Sequence, residues 1–199
     1  MYLQNTLFDY GQALDPRDAG TLGRTGADAV TRILTLREGN APTPLIALPN
    51  LARDLGLASV HVKDEGQRLG LGSFKALGGA YALMRLVQAE AEQRLGRPVL
   101  AQDLLSPEIR AIAATMTFAC ATDGNHGRSV AQGAQLMGAR AVIFVHAGVS
   151  QGRIDAIAHF GAQIMRVAGS YDASVAEASR VAGEQGWTVL SDTSWSGYE

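Results

Sequence analysis

The stretch that decides the fold runs from Thr115 to His146 and reads TMTFACATDGNHGRSVAQGAQLMGARAVIFVH. Two continuous apolar runs, 115–122 and 141–146, flank a segment with helical periodicity over Asn125–Met137 that ends at Gly138. Apolar strands separated by a helix are typical of βαβ units, whose parallel sheets are covered on both faces. The stretch therefore predicts strand, helix and strand.

The same alternation continues toward the C-terminus. It predicts helices over Gln151–Phe160 and Ala173–Gln185, and strands over Gln163–Val167 and Trp187–Ser191. The predicted fold class is α/β, with three layers around a parallel sheet. Ligands of such sheets bind beyond the carboxyl ends of the strands. This rule selects the loops after Thr122 and Ser191, which begin with Asp123 and Asp192.

Upstream of this region the pattern is weaker. Prolines and glycines interrupt residues 1–40, where the sequence predicts little regular structure apart from a helix over Ala27–Arg37. The following elements are predicted in order: a helix over Leu48–Leu55, a strand over Ser59–Asp64, and a helix over Phe74–Leu95 capped by Ser73.

Composition excludes several classes of protein. The 199 residues are 47% hydrophobic and 18% charged, and 17 basic against 19 acidic side chains give a net charge of −2. This balance lacks the basic excess of nucleic-acid binders, and no apolar run is long enough for a membrane helix. The N-terminus carries no secretory signal, so a cytoplasmic setting is expected. Cys120 is the single cysteine, so neither a disulfide framework nor a multi-cysteine metal site is expected.

Lys75 is predicted to lie in the first turn of a helix, after the glycine-rich stretch GLGSFK at 70–75. A helix N-terminus carries partial positive charge, which disfavours a lysine there and favours its neutral amine. A neutral amine is the nucleophilic form that adds to an aldehyde cofactor. The alternative is an ordinary solvated lysine.

A second motif, ATDGNHG at 121–127, lies at a strand-to-helix junction. Its glycines allow close approach of a ligand to the backbone, and the helix N-terminus favours anionic oxygens. The amide of Asn125 could bond a ring substituent. The alternative is a tight turn in which Asn125 caps the helix.

Together, Ser73-Phe74-Lys75 and the Gly-Asn-His-Gly motif resemble the fold-type II pyridoxal-phosphate enzymes. This group includes threonine and serine dehydratases, cysteine synthases and the tryptophan synthase β subunit. The resemblance implies that Lys75 forms a Schiff base with pyridoxal 5'-phosphate and that Asn125 faces its phenolic oxygen. It also implies cofactor contacts from Phe74, Gly124 and His126, although a histidine in this loop is more often a structural hydrogen-bonding residue.

Three segments, GLGSFKALGGAYA, ATDGNHGRSVA and SDTSWSGYE, are similar in sequence and order to the diaminopropionate ammonia-lyases. Dehydratases usually have a small residue where this chain has Asp123. The resemblance implies that Asp123 and Asp192 flank the cofactor, each taking the α-proton of one enantiomer of 2,3-diaminopropionate. Such a base works best if burial raises its pKa toward the working pH. Trp195 and Tyr198 either line the substrate site or belong to the core.

The implied reaction converts D- and L-diaminopropionate to pyruvate and ammonia. The implied partners are a small amino-acid substrate and a second copy in a homodimer, with no nucleic acid, membrane or metal. Two alternatives stay open: a threonine or serine dehydratase, and a non-catalytic fragment of such an enzyme.

The resemblance also predicts a domain division. Residues 1–82 would form the N-terminal part of a large cofactor-binding domain, and residues 83–191 a small βα domain with linking helices. Residues 192–199 would begin the return to the large domain, whose remainder is absent. The family's phosphate cup and its contact to the pyridine nitrogen belong to that absent part.

Overall fold

The computed structural model describes residues 4–7 and 10–194. The helices are α1 (Pro16–Leu22), α2 (Arg24–Leu34), α3 (Pro49–Asp54), α4 (Lys75–Leu95), α5 (Pro107–Ala113), α6 (Asn125–Met137), α7 (Gln151–Ala158) and α8 (Tyr171–Gln185). The strands are β1 (Leu45–Ala47), β2 (His61–Lys63), β3 (Thr117–Ala121), β4 (Arg140–His146), β5 (Gln163–Val167) and β6 (Thr188–Val189).

The main sheet has the order β5-β4-β3-β6, and every neighbouring pair is parallel. Phe118 of β3 pairs with Ala141 of β4 on one side and with Thr188 of β6 on the other. The predicted alternation of strands and helices is therefore confirmed. The carboxyl ends of β3 and β6 lie side by side, which places the loops that begin at Asp123 and Asp192 at one edge.

Both faces of the sheet are covered. Phe118 and Cys120 of β3 point into the larger apolar cluster, which contains residues of α4 and α6. Ala119, between them, points into a second cluster with Ala178 and Ala182 of α8. Because successive side chains of a strand face opposite sides, this division produces the predicted three layers. Cys120 is buried, and burial raises the pKa of its thiol.

Helices α4 and α6 approach each other at glycines. A Cβ at Gly133 would lie 2.8 Å from the Cα of Ala80, so a side chain there would force the helices apart. Ser129 joins the same two helices, since its Oγ accepts from the Ala80 amide at 3.0 Å and donates to the Ala76 carbonyl at 3.2 Å. This contact fixes the start of α4, and with it Lys75, against the sheet layer.

The N-terminal prediction was right about one helix, with shifted bounds, and missed another. Residues 16–34 form two helices, α1 and α2, and the second begins three residues before the predicted Ala27. The side chain of Asp15 caps α1 by accepting from the amide of Arg17. Gly26 of α2 packs directly against the backbone of α1, because a Cβ there would lie 1.9 Å from the carbonyl oxygen of Thr21.

Ser73 does not cap α4. The cap position is Phe74, which makes no side-chain cap bond, and the hydroxyl of Ser73 is buried without a partner among the described residues. The turn before Lys75 has already begun to coil, because the Ala76 amide donates to the Ser73 carbonyl at 3.1 Å. That geometry leaves the Ser73 side chain one residue too early to act as the cap.

Strands β1 and β2 form a separate antiparallel pair. The part of the chain that contains this pair and α3 exposes apolar side chains, namely Leu45, Ile46, Leu51, Leu55, Leu57 and Val62. Over the described residues, none of the helices combines the length and the apolar character that a bilayer crossing requires.

Candidate active site

A cavity of about 440 Å³ opens at the carboxyl edge of the main sheet. The structure brings six of the seven predicted site residues to its wall: Lys75, Asp123, Gly124, Asn125, His126 and Asp192. These residues come from the start of α4, the loop after β3, the start of α6 and the segment after β6. The rule that parallel sheets bind ligands beyond their strand ends therefore selects a real concavity.

Lys75 and Asp192 form an ion pair inside the cavity. The Nζ of Lys75 lies 2.5 Å from Oδ2 of Asp192, with 42% of the lysine side chain and 23% of the aspartate side chain exposed. The sequence analysis considered only the charge of the helix end. The structure adds a carboxylate, which the segment after β6 brings to the lysine.

The expectation of a raised pKa was wrong for Asp192. Partial burial acts to raise the pKa of this carboxyl, but the hydrogen bond from Lys75 and the electrostatic influence of His126 and Lys75 outweigh it. The net result is a pKa below the ordinary value of 3.8. In this chain Asp192 is therefore an ionised counter-charge of the lysine.

Asp123 is held differently. Its Oδ1 lies 2.9 Å from Nε2 of His146, the last residue of β4, while 63% of the Asp123 side chain is exposed. Thr122, before it, accepts hydrogen bonds from the amides of Gly124 and Gly127 at 3.0 Å each. The loop that carries Asp123 is thus fixed by the side-chain hydroxyl of Thr122.

Gly124 and His126 have mainly architectural contacts. Gly124 has a φ of +150°, a conformation that favours glycine, and a Cβ there would lie 3.4 Å from the side chain of Arg153. His126 is 6% exposed, and its Nε2 lies 2.9 Å from the carbonyl oxygen of Leu190. Since a carbonyl only accepts, Nε2 carries a proton and ties α6 to the end of β6.

Phe74 lies apart from this cavity. Its side chain is 65% exposed and lines a neighbouring cavity of about 590 Å³, which shares Lys75, His126 and Asp192 with the first one. Lys75 and Asp192 therefore form a wall between two concavities. Trp195 and Tyr198 lie outside the described residues.

Several residues of the site were not predicted from the sequence, among them His146, Arg153 and Tyr171. His146 contacts Asp123, while Arg153 of α7 and Tyr171 of α8 line the cavity. Burial raises the pKa of the Tyr171 hydroxyl, more than its bond with Thr193 lowers it. Each residue lies at the carboxyl end of a strand or in the first turn of the following helix, and that position was the available signal. Within residues 4–7 and 10–194, no three His, Cys, Asp or Glu side chains cluster as metal ligands would.

The sequence matches a model of a known family. The model is described as a pyridoxal-phosphate dependent enzyme, and it matches residues 36–199. The matched range contains every residue of the cavity wall named above.

Individual relatives agree with this match. The diaminopropionate ammonia-lyase of Escherichia coli strain K12 is 44% identical over 160 residues, which cover 80% of this chain and 39% of that protein. The Salmonella typhimurium LT2 enzyme of the same name is 42% identical over 159 residues, with the same coverage. The chain thus spans about two-fifths of the length of these curated relatives.

A solved structure is similar as well. The crystal structure of the E. coli diaminopropionate ammonia lyase in complex with D-serine superposes with a TM-score of 0.77 and 38% sequence identity. The superposition covers 88% of this chain and 44% of that one. The similarity therefore extends over nearly the whole of this chain and less than half of the solved one.

Proposed function

Because this chain belongs to the pyridoxal-phosphate dependent enzyme family, we propose that it supplies the lysine and two carboxylates of an ammonia-lyase acting on D- and L-2,3-diaminopropionate. The observation that carries the proposal is the convergence of Lys75, Asp123 and Asp192 on one cavity. The 44% identity to an enzyme named diaminopropionate ammonia-lyase supports this choice of substrate.

The donor groups of the cavity fit the aldehyde end of pyridoxal 5'-phosphate. Lys75 offers a primary amine, Asn125 an amide for a ring oxygen, and Gly124 a wall without a side chain. When bound, the cofactor supplies an aldehyde for the lysine and a ring that withdraws electrons from the substrate Cα. Contacts to the phosphate group and the ring nitrogen are proposed to come from residues beyond these 199.

The residues of this chain would move protons at defined atoms. Lys75 must lose a proton from Nζ before its lone pair can attack, and Oδ2 of Asp192, 2.5 Å away, holds the lysine Nζ in the cavity. Asp123 and Asp192 follow neighbouring strands and approach the cavity from different loops. Each carboxylate is proposed to accept the Cα proton of one enantiomer, and two such bases would explain turnover of both.

We also propose the domain division expected from the sequence, with residues 1–82 belonging to a larger domain. The exposed apolar side chains around β1, β2 and α3 support it, because further protein would cover them. A homodimer is proposed only by analogy with the resembled family, and light scattering of the purified chain would test it.

The first test is a visible absorbance spectrum of the chain mixed with pyridoxal phosphate. The sequence contains two lysines, Lys63 and Lys75. Lys63→Ala is therefore a matched control, since Lys63 lies on β2 and donates to the Thr43 carbonyl. We expect a Schiff-base band in the wild type and in Lys63→Ala, and its loss in Lys75→Ala. Borohydride reduction followed by peptide mapping should place the modification on Lys75.

An equal band in Lys75→Ala would contradict the assigned lysine. No band in any variant would restrict the proposal to a longer polypeptide. The substrate is tested separately: pyruvate should form from diaminopropionate, without 2-oxobutanoate from threonine. Preference for threonine would favour a dehydratase and remove the argument for two aspartates.

A further inference from the structure

His146 makes two hydrogen bonds that together define its protonation. Its Nδ1 lies 3.1 Å from the backbone nitrogen of Gly148, and its Nε2 lies 2.9 Å from Oδ1 of Asp123. A backbone N–H can only donate, so Nδ1 must be the accepting nitrogen. The proton of the neutral ring is therefore on Nε2, directed at the carboxylate of Asp123.

Gly148 makes this arrangement possible. A Cβ at position 148 would lie 2.9 Å from Cε1 and 3.1 Å from Nδ1 of His146. Those distances are too short for a side chain, so only glycine lets its N–H approach the ring. The turn is closed by a bond from the Val149 amide to the His146 carbonyl at 3.1 Å. The imidazole is thus held by the turn of residues 146–149 that follows β4.

From these contacts we propose that His146 is a positioning residue for Asp123, an inference that rests on the proposed function. The Asp123 side chain is largely exposed, and an exposed carboxylate rotates unless a partner holds it. His146 is the more buried member of the pair, with 23% of its side chain exposed. Its Nε2–H holds one oxygen of the carboxylate, which orients the group for proton abstraction.

The same geometry indicates that His146 does not act as a proton acceptor for Asp123. Because Nε2 already carries the ring proton and Nδ1 is occupied by Gly148, the neutral ring does not accept a proton from Asp123. Arg153 does not replace it, since its Nη1 donates to the main-chain oxygen of Asp123 at 3.4 Å. His146 therefore orients the carboxylate without relaying its proton.

The first experiment determines the tautomer of the His146 imidazole by NMR. Long-range ¹H–¹⁵N spectra of the 199-residue chain, in buffer alkaline enough for a neutral ring, distinguish the two tautomers without any cofactor. We expect a single Nε2–H form for His146 in the wild type and a mixture in Gly148→Ala. The backbone of Gly148 lies outside the left-handed region, so alanine fits the main chain and acts on the ring alone. An Nδ1–H form or a mixture in the wild type would overturn the inference.

The second experiment reads turnover of each enantiomer after loading with pyridoxal phosphate. Gln places its amide near the position of the histidine Nε2, whereas the Asn amide lies nearer Nδ1. His146→Asn and Gly148→Ala should lower kcat by about tenfold or more, up to the 10²-fold that an ångström of misplacement costs. The loss should fall on the enantiomer that Asp123→Asn impairs, with KM little changed, and His146→Gln should recover part of it.

Two controls match these variants. His159→Ala removes an imidazole that contacts Phe160, and Gly152→Ala adds a methyl group where nothing lies within 4 Å. Neither should change the ratio of rates for the two enantiomers. An equal loss on both enantiomers in His146→Asn would overturn the inference. If the wild type turns over neither enantiomer, the proposed function fails and the tautomer spectrum alone decides on His146.

Discussion

Asp123 and Asp192 line the same cavity but are held by very different parts of the chain. Asp123 pairs with His146, 23 residues away on the adjacent strand β4. Asp192 pairs with Lys75, 117 residues away at the start of α4. The Asp123 side chain is 63% exposed and that of Asp192 is 23% exposed. One carboxylate is thus supported locally at the surface, and the other by a distant cation.

The difference shows how one edge of a sheet can hold two carboxylates whose charge and orientation depend on different partner residues. The charge balance of Asp192 depends on Lys75, the residue proposed to bind the cofactor, so covalent reaction of the amine would remove its counter-charge. Asp123 has no such dependence, because its partner belongs to the neighbouring βα unit. The two groups should therefore respond separately to mutation.

The largest expected effect is a split between substrate enantiomers. Asp123→Asn and Asp192→Asn should each lower turnover of one enantiomer, and not the same one, by at least about 10²-fold, which is the usual contribution of acid–base catalysis. Pyruvate formation from D- and L-diaminopropionate measures the effect. Asp28→Asn, at an exposed position on α2, is the control and should leave both rates unchanged. Equal losses of turnover on both enantiomers in either variant would contradict the assignment of one aspartate to each enantiomer.

The next effect concerns the loop that carries Asp123. Thr122→Val keeps the side-chain shape but removes the oxygen that accepts from two buried amides. We expect the free energy of unfolding to fall by about 2 kcal/mol, as for a buried donor left unpaired. Urea denaturation measures the change, and Thr122→Ser should keep most of the stability. Thr31→Val, exposed on α2, is the matched control. A loss no greater than that of the control would mean that Thr122 does not fix this loop.

The smallest expected effect is the pH dependence of the contribution that Asp192 makes to the free energy of unfolding. Its folded-state pKa is lowered, so the stabilisation exists above the ordinary pKa of 3.8 and is lost as pH falls through the lower folded value. For a partly exposed pair we expect about 0.5 kcal/mol between the wild type and Asp192→Asn at neutral pH. Urea denaturation at several pH values measures it, and the difference should vanish in acid.

Lys75→Met is the control for that measurement. It removes the partner of Asp192, so Asp192→Asn on this background should cost little at any pH. A difference that grows as the pH falls would have the wrong sign for an ionised aspartate paired with a lysine. It would show that burial dominates the pKa of Asp192.

The βα region could be predicted closely because its signals are local. Helices α6 and α8 end where Gly138 and Gly186 adopt left-handed conformations, with φ of +77° and +67°. Those glycines directly follow the last residue of each predicted helix in the sequence. The bounds of β5 were predicted correctly, whereas β6 was predicted three residues too long, since it is only Thr188–Val189.

The first N-terminal helix and the start of the second could not be predicted by the same reasoning. Glycines were interpreted there as helix breakers, but Gly26 allows α2 to pack against the backbone of α1. Helix α5 was missed although Ser106 caps it and Pro107 begins it. The serine–proline start of a helix was present in the sequence, but the helix is short and lies outside the alternation of strands and helices.

The candidate site was predicted in its residue types and missed in its partners. Motifs identified Lys75 and both aspartates, since each lies at an element boundary. The contact of His146 with Asp123 depends on β4 lying beside β3, and the contact of Lys75 with Asp192 depends on β6 lying on the other side. Strand order is a property of the folded sheet, so sequence spacing alone could not supply these pairs.

The distance between Lys75 and Asp192 along the chain also sets an order of events during synthesis. The lysine leaves the ribosome 117 residues before the aspartate. The two meet only after β6 pairs with β3 through Phe118–Thr188 and Ala119–Val189, a contact of long sequence separation. A nascent chain that stops short of β6 therefore carries most of the sheet without the lysine–aspartate pair. The cavity edge that holds this pair is therefore completed after β3, β4 and β5 have been synthesised.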